Sequence, residues 1–335
     1  MTKGSPEANV NAIELRDLTK IYDNRHIALG GVNLTVPQGS VFGLLGPNGA
    51  GKTTAIKLML GLQRPTGGSV GIFGEAMTPN SAHLRSRIGY LPTYPRFPRD
   101  MTPITYLDWV GRLSGLPRDQ RKTRLAQLLR AVELLPAASQ KVQVLSTGMT
   151  ARLGIAASLL HNPDLLIWDE PTLGLDPEGR RFTLDLIRSL AGEKSLVLST
   201  HLLGDIDRVC DHVGVLSAGK LVFSGTVAEM KRLGGRQNEV ELELQGDLVA
   251  LEKELDGWGG EGVEFTLVGQ HTLHVQFPDG EPFLSQLTRL LQFLSQHSVE
   301  LLSVRSASDQ LESAFLHRLE EERTHGFTRA MEPEE

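Results

Sequence analysis

The chain holds one cysteine, Cys210, so no intramolecular disulfide can form; this fits a reducing compartment, and the residue reads as a buried small hydrophobe. No run approaches the ~18 apolar residues needed to span a bilayer, and the opening MTKGSPEAN lacks a signal peptide's apolar stretch, so the sequence is read as crossing no membrane. Positive charge is not in excess. Lys plus Arg number 34 against 40 Asp plus Glu, and a net charge of −6 gives no global pull towards anionic lipid and argues against a nucleic-acid partner. What is present is globular: 335 residues suggest about two domains, and 40% apolar with 22% charged residues excludes disorder along the whole chain. The 35 glycines and 17 prolines point to many tight loops, and residues 1–9 and 331–335 are polar and read as frayed ends.

Short β-like runs open the chain at Ala12 to Leu15, Val32 to Val36 and Val41 to Leu45. From Thr105 to Leu160 the apolar spacing becomes helical, as in Leu125, Leu128, Leu129 and Val132, which predicts a helical insert. Strand-like runs return at Leu165 to Trp168 and Ser195 to Leu198, each followed by a helix, so the first unit is α/β with parallel strands. Around LGGRQN (233–238) that unit stops, and the boundary is placed near 232. Beyond it, runs at Val240 to Leu244, Asp247 to Leu255, Val263 to Leu267, Thr272 to Phe277, Pro282 to Gln296 and Val299 to Val304 give β-α-β-β-α-β, a ferredoxin-like order. In its second helix Leu284, Leu287, Leu291 and Leu294, and in the preceding strand Leu273, Val275 and Phe277, form stripes read as core. A last amphipathic stretch runs from Gln310 to Glu322 with Leu311, Phe315, Leu316 and Leu319, ahead of an acidic tail over 326–335.

Gly46-Pro47-Asn48-Gly49-Ala50-Gly51-Lys52-Thr53 satisfies G-x-x-x-x-G-K-[ST] directly after the apolar run VFGLL and before the helical run TAIKLML. Glycines let backbone N–H groups converge on phosphate oxygens, and the following helix adds the positive end of its dipole. Lys52 brings a point charge to the β and γ phosphates, the Thr53 hydroxyl is placed for Mg²⁺, and Thr54 completes the cradle. Far along the chain, Leu165-Leu166-Ile167-Trp168-Asp169-Glu170 is an apolar strand ending in two acids, which are expensive to desolvate unless a cation or donors meet them. Asp169 is assigned to the Mg²⁺ shell and Glu170 to polarising the attacking water as general base.

These residues resemble the ATP-binding subunit of an ABC transporter over roughly residues 12–232. Leu145-Ser146-Thr147-Gly148-Met149, at the head of the helix ARLGIAASLL, looks like the family's signature segment; Gly174-Leu175-Asp176-Pro177 looks like its D-loop, and His201 like its switch histidine. Tyr22 stands where the family stacks an aromatic on adenine. The resemblance implies a P-loop ATPase domain over 10–232 with a helical subdomain at about 94–160, followed by an α+β accessory domain over 238–325. It also implies that Ser146, Gly148 and Asp176 act on ATP held by a second, head-to-tail ATPase subunit, a homodimer in the reading taken here, and that His201 holds the γ-phosphate. The tail and the stretch STHLLGDIDRVCDHVGVLSAGKLVFSG are similar to subunits of bacterial two-component exporters. Those work on a separate multi-spanning permease at the cytoplasmic face of the membrane. An importer subunit and an ATP-dependent regulatory switch are the alternatives.

One position departs from the family: after Ile88-Gly89-Tyr90-Leu91-Pro92, Thr93 stands where glutamine or glutamate is usual, and threonine is too short both to reach the metal and to dock a permease. The remaining features read as bland. His271 and His274 point to opposite faces of a strand, while Arg96, Arg99 and the run Arg118 to Arg124 read as a solvated face.

Overall fold

A computed structural model describes residues 11–306, apart from 24, 234–237, 247, 256–257, 259–261, 270, 279 and 298, together with Phe315. The stretches read as frayed ends, the acidic tail and, Phe315 excepted, the amphipathic stretch from Gln310 to Glu322 lie outside the described residues.

The chain divides into two compact units after Val227, ahead of the boundary read at 232. In the first, β1 (Ile13–Tyr22) and β2 (His26–Val36) form a hairpin. Then β3 (Val41–Leu45) runs into helix α1 (Lys52–Met59). Next come β4 (Gly67–Ile72), β5 (Glu75–Ala76), α2 (Ala82–Arg85) and β6 (Ile88–Leu91). The helical insert is α3 (Pro103–Leu113), α4 (Arg118–Ala131) and α5 (Thr147–Leu159). The chain continues through β7 (Leu165–Asp169), α6 (Pro177–Leu190), β8 (Ser195–Thr200), α7 (Leu203–Val209), β9 (His212–Ser217) and β10 (Lys220–Thr226), and α8 (Val227–Leu233) begins at the division.

Two sheets result. One is antiparallel in the order β2-β1-β4-β5; the other runs β10-β9-β3-β8-β7-β6 and is parallel from β9 to β6. Every residue of β3, β7 and β8 is buried, as strands covered on both faces must be, which is why they read as unbroken apolar runs. The insert is fastened to this sheet at α5. A Cβ at Gly89 of β6 would meet the Ser158 carbonyl oxygen at 2.1 Å, so only glycine lets the helix backbone lie against the strand. The Trp168 indole N–H of β7 donates to Ser158 Oγ at 3.1 Å, tying the same turn to the strand that ends in Asp169.

Two sequence expectations change here. The run Arg118 to Arg124 is not a uniformly solvated face: Arg121 is buried, paired with Asp108 at 2.5 Å, and Arg124 donates to the Leu159 carbonyl at 3.1 Å. The Arg121 guanidinium, with Arg112 on the other carboxylate oxygen, holds the Asp108 carboxyl below the usual carboxylate range. Cys210 is half-buried rather than buried, with its sulfur turned inward against Gly43, and desolvation followed by the charges of Asp211 and Asp205 pushes its thiol well up.

The second unit carries β11 (Glu239–Gly246), α9 (Leu248–Leu255), β12 (Glu264–Val268), β13 (Thr272–Gln276), α10 (Phe283–Leu294) and β14 (Val299–Ser306). Its sheet is antiparallel in the order β12-β13-β11-β14, the ferredoxin-like arrangement. Leu273, Val275 and Phe277 are core, and of the stripe expected on α10 Leu294 is buried and Leu287 packs against that core, while Leu284 falls outside it. Gln286, Leu290 and Leu294 face inward while Leu284 is 72% exposed. Gln286 tolerates burial because its amide donates to the carbonyls of Pro278 and Glu281 at 3.2 and 2.9 Å.

Candidate active site

In a parallel sheet the carboxyl ends of neighbouring strands open on one side, and the segments that follow them share that side. The order β3-β8-β7 therefore brings together the Gly-rich loop after β3, His201 after β8 and Glu170 after β7. A pocket of about 580 Å³ lies there, lined by Tyr22, the run Pro47 to Thr54, Thr93, Glu170 and His201. His26, Ala28, Tyr94 and Leu173 also line it, and sequence reasoning did not single them out.

The loop needs its glycines for space as well as for backbone freedom. At Gly51, the residue before α1, φ is +105°, and a Cβ there would lie 2.6 Å from the Ala28 carbonyl oxygen. A Cβ at Gly46 would lie 2.3 Å from the Leu216 carbonyl oxygen. Lys52 is buried, its ammonium donating to the Gly46 carbonyl at 2.6 Å and standing 3.3 Å from Glu170 Oε1. The other carboxylate oxygen of Glu170 lies 2.9 Å from His201 Nδ1. Lys52, Glu170 and His201, the three residues read as catalytic, thus form one contact chain centred on a buried carboxylate. Such a pair is weak ground for stability, because desolvating two charges offsets most of their attraction; its value is in placing the groups.

Asp169 is buried beside this chain, with Oδ2 3.2 Å from Thr53 Oγ1. Its second oxygen accepts from Ser199 Oγ at 2.5 Å, and the same hydroxyl accepts the Glu170 N–H at 3.0 Å. Ser199, fully buried and paired with Asp169 in the β7/β8 register, orients both acids and was missed in the sequence. Its only local signal is a hydroxyl inside the apolar run SLVLST. On the far side of β7, burial and then the Asp169 charge push the Tyr90 phenol up, so it stays protonated. Tyr22 ends β1 with its hydroxyl donating to Gln63 Oε1 at 2.6 Å, which fixes its ring at the pocket edge.

Five expected residues do not line the pocket: Gly46 just past the end of β3, Asp169 behind Thr53, and Ser146, Gly148 and Asp176. Ser146 caps α5, accepting the Met149 N–H at 3.2 Å, and Gly148 lies in its first turn. Asp176 caps α6, accepting the Gly179 N–H at 2.8 Å. No helix among the described residues is long and apolar enough to cross a membrane.

Sheet, glycine loop and paired acids define a P-loop nucleoside triphosphatase. The ABC transporter family matches residues 29–173. The bacitracin transport ATP-binding protein BcrA of Bacillus licheniformis is 34% identical over 91% of this chain and 96% of its own length. A Nod factor export ATP-binding protein I of Cupriavidus metallidurans is 37% identical over 65% of this chain and 72% of its own. A solved structure described as the ATP-binding subunit of an ABC transporter aligns with TM-score 0.62 at 30% identity, covering 73% of this chain and 99% of that one. The chain belongs to the ATP-binding subunits of ABC transporters, and it is an ATP hydrolase.

Proposed function

We propose that this chain is the motor of an ABC exporter, powering a separate multi-spanning permease from the cytoplasmic face of the membrane through ATP-driven, head-to-tail dimerisation with a second copy of itself. The observation that carries this reading is the split of the site. One copy gathers Lys52, Glu170 and His201 on a pocket, while Ser146 and Gly148 stand at a capped helix N-terminus that lines no part of it. A helix N-terminus favours an anion, and the γ-phosphate of ATP held by a second copy is the anion a head-to-tail pair would offer. The names of the bacitracin and Nod factor relatives support the exporter reading.

In this reading the backbone from Gly46 to Thr54 and the Lys52 charge hold the phosphates, and Tyr22 packs on adenine. Glu170 polarises the attacking water, and His201 holds the γ-phosphate while its contact with Glu170 orients the base. The adjacent oxygens of Thr53 and Asp169 suit a hard cation, so these two residues would hold Mg²⁺, which would neutralise charge on the phosphates. Asp176 joins the contacts from the second copy. Residues 10–232 act as the ATPase domain with the subdomain at about 94–160, and 238–325 as the accessory domain.

The test is affinity purification of the Glu170→Gln chain with Mg-ATP from detergent-solubilised native membranes. A stoichiometric polytopic protein bound to two copies of the chain is the expected result. Recovery of soluble partners alone would overturn it in favour of an ATP-dependent regulatory switch, the reading that Thr93 favours.

A further inference from the structure

Asp205 is fully buried, and its carboxylate gathers three separate segments of the site. Thr172 Oγ1 donates to Oδ2 at 2.5 Å. Arg180 donates to Oδ1 through Nε at 2.8 Å and Nη2 at 2.7 Å. Thr172 follows Glu170 by one intervening residue. Arg180 lies a turn beyond Asp176, whose carbonyl accepts its N–H at 2.9 Å. Asp205 itself lies in the first turn of α7, the helix that His201 leads into. The segments bearing Glu170, Asp176 and His201 are thus joined at one charge that none of those residues touches.

Burying a carboxylate is costly unless donors meet its oxygens, and here a hydroxyl and a two-pronged guanidinium do so. Because hydrophobic residues can replace such an ion pair without loss of stability, the arrangement is better explained by the geometry it fixes. Glu170 is what needs fixing. Its φ is +51°, a left-handed conformation that a residue with a side chain keeps only where the surroundings enforce it. On one side of the bend, Ser199 accepts the Glu170 N–H at 3.0 Å. On the other, the Leu173 N–H donates to the Glu170 carbonyl at 3.1 Å, and Thr172 is anchored on Asp205.

We propose that Asp205 is a positioning residue for ATP hydrolysis: through Thr172 and Arg180 it sets the segment carrying Glu170 against those carrying Asp176 and His201. This rests on the reading of Glu170 as the base. Acting on the orientation of the base and not on ATP capture, the clamp should separate turnover from binding.

Thr172→Val keeps the shape of the side chain and removes the hydroxyl. In the full chain it should lower kcat by about ten- to a hundredfold while leaving KM for ATP within about twofold. Thr172→Ser, which restores the donor, should recover kcat. Arg180→Lys, which keeps the charge and loses the fork, should fall as Thr172→Val does. A Thr172→Val chain that turns over normally, a loss shared equally by Thr172→Ser, or a joint shift of kcat and KM would overturn the proposal. Should Thr172→Val fail to fold, Arg180→Lys, at a side chain 38% exposed, decides on the same split. Glu170→Gln measured alongside separates the two readings. Normal turnover in Glu170→Gln removes the base assignment, whereas an inactive Glu170→Gln beside a normal Thr172→Val removes only the clamp.

Discussion

Removing the Ser199 hydroxyl by Ser199→Ala deletes two hydrogen bonds, one of them strong. The strong one is the 2.5 Å donation to Asp169 Oδ1, made to a charged acceptor in a fully buried place. The second is the 3.0 Å bond from the Glu170 N–H, but that amide keeps the Ser199 carbonyl as an acceptor at 3.2 Å and is not orphaned. The loss is therefore set by the carboxylate bond, about 1.5–3 kcal/mol for a hydrogen bond to a charged group. At about 2–4 °C per kcal/mol for a unit of this size, a loss near 2 kcal/mol lowers the unfolding midpoint by about 4–8 °C. Function should move in a particular way. Among the described residues Asp169 then keeps Thr53 at 3.2 Å as its side-chain partner, so the Mg²⁺ concentration that half-saturates ATP hydrolysis should rise about tenfold, while nucleotide affinity measured without Mg²⁺ is unchanged. The assay is phosphate release against Mg²⁺ at saturating ATP, with a melting curve for each protein. A Mg²⁺ curve that superimposes on that of the unsubstituted chain, with only the melting point lowered, would refute the orienting role and leave Ser199 a packing residue.

Lys52→Ala should weaken ATP binding and leave the buried Glu170 carboxylate paired, among the described residues, with His201 alone; equilibrium binding with undiminished affinity would count against the phosphate-loop role. Thr93→Gln should raise ATP hydrolysis at saturating Mg-ATP with affinity unchanged, because it restores a side chain long enough to cross the pocket edge that Thr93 lines; an unchanged steady-state rate would sink the idea. The depressed Asp108 carboxyl makes the helical insert acid-sensitive in a definite direction. A carboxyl whose folded pKa lies below its unfolded value contributes stability that is complete above the unfolded value, near 3.8, and is lost as pH falls through the folded one. Asp108→Asn should accordingly flatten the acid limb of a stability-versus-pH curve, and parallel limbs for the two proteins would contradict it.

What could be read from the sequence was what neighbouring residues decide together. VFGLL and SLVLST declare buried parallel strands because both faces are covered, and the loop between β3 and α1 is legible because its glycines sit where backbone approaches backbone. The order of elements in the second unit was legible for a related reason, since each run is short and bounded by turns. The first hairpin was not. β1 continues to Tyr22 and β2 begins at His26, well beyond the apolar runs, because the pairing shifts register repeatedly between Leu15 and Ile21 and breaks the alternation. Leu284 misled because a helix with leucines on adjacent positions offers two stripes, and packing on the sheet buries Leu290 beside the expected Leu294. Arg121 in a basic run looks solvated until α3 brings Asp108 to it.

The same division runs through the site itself. Thr53 and Asp169 are 116 residues apart, and no spacing rule joins them; the strand order does, by placing β8 between β3 and β7. That order gives β8 a particular weight. Its end pairs Leu45 with Thr200 on one side and Asp169 with Ser199 on the other, so a change there reaches the phosphate loop and the acids together. A change in β6 pairs only with β7, and one in β9 reaches β3 but neither acid through the sheet. His201 and Asp205 both follow β8, and each contacts the β7 side, His201 at Glu170 and Asp205 at Thr172. The segment after β8 therefore carries the cross-links of the site, although its sequence, STHLLGD, shows only one residue that chemistry alone would single out.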